Sequence, residues 1–203
     1  MIKIQNWIPD ELHILLRITD ILLECFFNEI TIKRNFQKEI LNIIEQTMKN
    51  IKVYFEFFAP KTSNGKWTWK SLMGPAKKII LEKFPVSAFI SGERGQRIEE
   101  LWREFYRLYC IMRKENHTFD EIDEFEKDAR NWIKLFCRPT IFQQKQIIQE
   151  GIYRATDVTP YMHVFAQHIP QFMRDLKQRG LSLRHFTTSS LEKKNHEQVI
   201  YIK

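Results

Sequence analysis

Two histidines and a glutamate in the C-terminal third are the residues whose type and spacing bear most directly on chemistry. His163 and His168 lie in the run Tyr161-Met162-His163-Val164-Phe165-Ala166-Gln167-His168-Ile169-Pro170. Imidazole ligates metals and exchanges protons near neutral pH. On a regular helix a five-residue interval turns the two rings about 140° apart. Helical metal pairs are normally four apart, as in H-E-x-x-H. Pro170 disturbs that geometry, because it removes a ladder bond and clashes with the carbonyl of Ala166. A helix kinked there can bring the imidazoles together. Without the kink they are two packing or capping histidines.

Glu192 sits in Thr-Thr-Ser-Ser-Leu-Glu-Lys-Lys-Asn. Ser189 and Glu192 have the S-x-x-E spacing of a capping box, in which the glutamate reaches back to a backbone amide. The other use is metal chemistry. A carboxylate at the start of a helix, beside a strand, can hold a divalent cation in two-metal phosphoryl transfer. Other candidates have plainer explanations. Asp120, Glu121, Asp123, Glu124 and Glu126 read as the solvated face of a helix. Trp67 and Trp69, set between lysines, suit cross-strand packing better than base stacking. The sequence has no Walker motif, no G-x-G-x-x-G, no G-x-S-x-G and no H-E-x-x-H. A third reading is a self-sufficient metallohydrolase that adds Asp157 or His185 to the two histidines, which would need a bound zinc with an open coordination position.

The elements that must position these residues are mostly helical. Apolar positions repeat with a helical period over Pro9–Ile30, Asn35–Ile51, Ser71–Phe84, Arg94–Lys114 and Phe119–Phe136. A further helix is expected over Pro139–Glu150, and another from Thr159 to Arg179 with Pro170 inside it. Between the second and third helices the pattern changes. Val53–Phe58 is β-branched and aromatic and Lys66–Lys70 alternates, so a small β-ribbon is expected near 53–70. Leu181–Phe186 reads as a short strand before a final helix opening at Ser189. With only 6 glycines and 7 prolines among 203 residues, an all-β sandwich with many turns is a poor fit.

The net charge of +7 suits a nucleic-acid partner, but it also suits solvated Lys-rich helices. Cys25, Cys110 and Cys137 form no C-x-x-C pair, which argues against a disulfide scaffold or a self-contained cysteine zinc site. No apolar run is long enough to span a bilayer. No membrane partner and a nuclear or cytoplasmic location are expected.

His163-x4-His168-Ile169-Pro170, the aromatic Phe186 and Glu192-x-x-Asn195 together resemble the end of the catalytic core of Transib-type transposases and of the V(D)J recombinase catalytic subunit. Asp10-Glu11-Leu12-His13 and Lys70-Ser71-Leu72-Met73-Gly74 are loosely similar to the helical insertion that precedes the last catalytic glutamate in that family. The resemblance implies an RNase H-like DDE enzyme in which Glu192 is the third acid and a Mg²⁺ ligand, with Asn195 beside it. It implies that His163 and His168 are two of four ligands of a structural Zn²⁺. On this reading residues 1–158 are the insertion domain, and 159–203 are the His-x4-His segment plus a shortened strand–helix piece of the RNase H-like fold.

The family's two aspartates and its C-x-x-C would precede Met1, and the interval from His168 to Glu192 is longer than in the family. The expectation is therefore a fragment, catalytically incomplete alone. It would bind DNA, or pair with a partner or missing N-terminal region that supplies the catalytic sheet. The rival expectation is a helical protein-interaction module with no nucleic-acid role.

Overall fold

The computed structural model describes residues 9–32, 38–62, 65 and 67–188. The architecture is mainly helical with two small antiparallel hairpins. Helix α1, Glu11–Ile32, opens where Asp10 Oδ1 accepts the Leu12 amide, the usual way to satisfy a first-turn donor. Ile14, Leu15, Ile18, Leu22, Leu23 and Phe26 are all within 1% of complete burial. These positions wrap around much of the helix, so α1 serves as the central rod against which the helices Gly74–Lys83, Gly92–Met112 and Pro160–His163 pack.

Helix α2, Lys38–Asn50, buries one stripe of Leu41, Ile44 and Met48. Strands β1 (Phe57–Phe58) and β2 (Thr68–Trp69) follow, paired as Phe57↔Trp69 and Phe58↔Thr68. This is the expected β-ribbon. Val53, Phe55 and Phe57 point inward, while Tyr54, Glu56 and Phe58 face out. Trp69 sits 4.7 Å from the Phe27 ring, so it packs as the alternation implied.

Helix α3, Gly74–Lys83, is tied to α1 by the buried Lys77, whose Nζ donates to Asp20 (2.5 Å) and to the Leu16 carbonyl (3.0 Å). A short 3₁₀ turn, Val86–Ala88, leads into α4, Gly92–Met112. Gly95 is required at that junction, because a Cβ there would lie 1.7 Å from the Ile90 carbonyl oxygen. Helix α5, Phe119–Phe136, starts with a complete capping box between Thr118 and Glu121. Trp132 on α5 donates to the Leu101 carbonyl of α4 at 2.8 Å. The aromatic centre of this half is Phe105, Trp132 and Phe125 around Phe165.

Two expectations fail. Pro139–Glu150 is a hairpin, not a helix, with β3 (Ile141–Gln143) and β4 (Gln146–Gln149) joined at Gln144 and Lys145. Both turn residues have positive φ, 49° and 65°, the signature of a type I′ turn that matches strand twist. The ladder continues into the body, where Ile152 donates to Arg138 and Tyr153 to Phe136. β-branched Ile141, Ile147 and Ile148 favour that extended backbone.

Leu181–Phe186 is likewise no strand. Leu183–Phe186 forms a 3₁₀ turn, with His185 Nδ1 accepting the Ser182 amide at 3.1 Å. A local side-chain acceptor of this kind competes with a sheet ladder. The final helix expected from Ser189, with Glu192 and Asn195, lies outside the described residues.

Candidate functional site

The segment from Thr159 to Gln178 is one continuous helical rod in three parts. Helix α6, Pro160–His163, is capped by the Thr159 hydroxyl. A π-helical turn, Val164–His168, follows, and then α7, Ile169–Gln178. The Ile169 amide donates to the Val164 carbonyl, five residues back. Pro170 has no amide for an i→i−4 bond and would crowd the carbonyl of Ala166. Widening the turn by one residue accommodates both facts.

A five-residue turn also brings residues five apart onto one side. The His163 and His168 rings lie 5.2 Å apart, centroid to centroid, inclined by 72°. His163 is exposed and His168 half-buried, so the pair faces outward. On the opposite side Phe165 and Ala166 are buried. The disturbance expected at Pro170 therefore takes the form of a π turn, and the histidines meet.

That separation allows a test of fit to zinc. With Zn–N bonds of about 2.0–2.1 Å and tetrahedral angles, two ligating imidazoles would have their centroids roughly 5 Å apart. The pair is thus spaced as two corners of a tetrahedral site. An edge-to-face contact between neutral rings has the same spacing. A structural zinc needs four ligands, and among the described residues no group of three or more His, Cys, Asp and Glu side chains gathers. Asp157 is paired to Arg154 at 2.8 Å and His185 to Ser182, so neither extends the pair toward a hydrolase site.

The remaining candidates divide between packing and pairing. The acidic run on α5 is not simply a solvated face. Glu121 caps the helix, and Asp123 and Glu126 both hold Arg174 of α7. Trp67 and Trp69 are half-buried against the core. Cys25, Cys110 and Cys137 are free thiols.

A second feature could not be anticipated from the sequence, because its members lie 178 residues apart. Asp10 accepts hydrogen bonds from the Thr188 hydroxyl and amide, from His13 at 2.6 Å and from the Leu12 amide. Burial pushes the Asp10 carboxyl up, but these donors outweigh it and hold the group below the usual 3.8. Its neighbour Glu11 is completely buried, with Oε1 accepting from Arg113 at 2.8 Å and Oε2 unpartnered among the described residues. The clasp joins the first described turn to the last described residue.

Arg94 forms the corresponding tie at the other end of α4. Its guanidinium donates to both carboxylate oxygens of Glu29 and to the carbonyls of Gly151 and Ile152. It fixes the base of the β3–β4 hairpin to α1.

No protein-family model, curated protein or solved structure matches the chain.

Proposed function

We propose that this chain is the helical insertion and last catalytic segment of a DDE-type DNA transposase or recombinase, inactive until the sheet carrying the two aspartates is supplied. The observation that carries the reading is the Asp10–Thr188 clasp. A domain inserted into a host fold must leave and re-enter it at neighbouring points, and adjacent ends are what make insertion tolerable. The outward-facing His163–His168 pair lies within the segment that the clasp closes and precedes Glu192, in the order the motif resemblance requires. In such a parent the two imidazoles would provide half of a zinc site that fastens the insertion to the host. Glu192 would help hold the Mg²⁺ ions of strand nicking and transfer. Asn195 would lie beside that site.

The deciding experiment is to sequence the transcript and genome on both sides of this reading frame. An in-frame C-x-x-C and two aspartates at strand ends upstream support the proposal. In the assembled parent, Glu192→Gln would then abolish divalent-dependent DNA nicking without unfolding the protein. If the flanking DNA carries no such residues, and Glu192→Gln is silent in both folding and divalent-ion affinity, the glutamate is a helix cap. The chain is then a helical interaction module.

A further inference from the structure

We infer that β3 is a self-association edge: two copies of this chain pair their β3 strands antiparallel about a twofold axis at Phe142, making a four-stranded sheet ordered β4–β3–β3–β4. This stands independently of the transposase reading.

The hairpin is anchored at its base and bare along its length. Arg94 and the 136–153 and 138–152 backbone bonds hold the base. Beyond it Ile141, Phe142, Ile147 and Ile148 are exposed by 47%, 64%, 60% and 59%. A two-stranded hairpin is marginal in water on its own, and an apolar one is left for a partner to cover.

The two edges are not equivalent. The register places Ile141 opposite Gln149 but Phe142 opposite Ile147, so Ile148 is an extra residue that bulges β4. Bulges are a common guard on a free edge. Strand β3 has no such guard, and neither strand holds a charge or a proline. In a two-residue hairpin the pair flanking the turn, here Gln143 and Gln146, exchanges hydrogen bonds. The next residue, Phe142, then turns its own N–H and C=O toward the open side.

Symmetry supplies the rest. Antiparallel strands related by a twofold axis place one residue opposite its own copy, and the outward groups select Phe142. Because Phe142 and Ile147 are register partners on one face, the paired sheet carries an unbroken row Ile147–Phe142–Phe142–Ile147.

Charge selects this occupant over nucleic acid. The chain as a whole is +7, yet Lys145 is the one charged residue between Pro139 and Gln149. A DNA-binding arm relies on several phosphate contacts, which this arm lacks. Two like-charged copies, by contrast, can approach here. In the proposed pairing their Lys145 positions lie about 20 Å apart along the strands, beyond a screening length of about 8 Å at physiological salt.

Sedimentation equilibrium of the full chain tests this. The expected result is a reversible monomer–dimer equilibrium approaching twice the 24.7 kDa chain mass. Phe142→Pro, which removes the edge N–H, and Phe142→Lys, which sets two charges together at the axis, should both stay monomeric with an unchanged helical circular dichroism spectrum. A positive readout guards against misfolding variants. A twofold-related pair has Cα atoms about 5.5 Å apart, within disulfide range. In a Cys110→Ser background, Phe142→Cys should therefore form a covalent dimer under mild oxidation, while Ile148→Cys should not. A chain that stays monomeric at all concentrations, a dimer that survives both Phe142 changes, open-ended polymers, or a monomer that binds duplex DNA through Phe142 would each overturn the inference.

Discussion

The two hairpins are built from similar residues and meet opposite fates. In β1–β2 the aromatic side chains close onto α1, where Phe27 contacts Phe55, Phe57 and Trp69 at ring separations of 4.7 to 5.6 Å. In β3–β4 the apolar side chains of Ile141, Phe142, Ile147 and Ile148 remain exposed. The first hairpin is stabilised by tertiary burial and the second by the firmness of its base. Aromatic and β-branched content thus sets the extended backbone in both. The presence of a neighbouring helix decides whether the hairpin belongs to the core or to an interface.

Changing the cover of the first hairpin should give the largest effect. Phe27→Ala removes the ring that packs against three aromatic side chains of the ribbon and Phe26 and should destabilise the fold by about 3–5 kcal/mol, measured by urea unfolding. Loss of less than about 1 kcal/mol would mean that β1–β2 does not depend on α1.

Removing the anchor of the second hairpin should cost less. Arg94→Ala leaves Glu29 and two carbonyls without their donor, at about 2–3 kcal/mol given partial exposure. Cys25 reports the change locally. Burial, aided by the charges of Asp157 and Glu24, pushes its thiol up to about 12, so alkylation at neutral pH should be negligible in the native chain. Faster Cys25 labelling in Arg94→Ala is the expected outcome, and unchanged labelling would show that the base holds without Arg94.

The clasp is a smaller effect remote from both hairpins. Asp10 titrates below its usual 3.8 in the folded chain. It therefore adds stability above that pH and loses it as pH falls through the lower native value. The melting temperatures of wild type and Asp10→Asn should differ at pH 6 and converge as acid protonates Asp10. A difference that grows on acidification would contradict the assignment.

The smallest effect expected is at the second hairpin itself. At concentrations low enough to keep the chain monomeric, Phe142→Ala should change folding stability by no more than about 0.5 kcal/mol. A large loss would erase the contrast between the two hairpins.

Much of the helical framework was legible in the sequence. Phe119–Phe136 is recovered to the residue from its apolar period alone, while Glu121, which completes the capping box with Thr118 at its start, reads in the sequence only as part of a solvated face. The first ribbon was visible in its alternation. The second was not, since Gln144-Lys145 lacks the Asn-Gly or Asp-Gly pair that announces a type I′ turn. At the candidate site Pro170 signalled that the helix must depart from α geometry. The form of the departure depends on Phe165 finding Phe105, Phe125 and Trp132, which local periodicity does not record. The clasp was out of reach for a simpler reason: Asp10 and Thr188 are polar residues of common kinds whose proximity only the assembled fold creates.

The π turn at Val164–His168 makes the rod from Thr159 to Gln178 a counting device. It holds one residue more than an α ladder over the same rise, and every residue beyond it is rotated by about 100° relative to an unbulged helix. Phe172, Met173 and Leu176 face the core only with that extra rotation. Closing the ladder to α with every residue kept would swing this stripe toward solvent and carry His168 about 140° around from His163. Closing it by deleting Gln167 would instead keep the stripe inward and leave the two histidines four apart on one face. The burial of α7 and the meeting of the two imidazoles thus share a single helical phase, and selection on that phase would act on both at once.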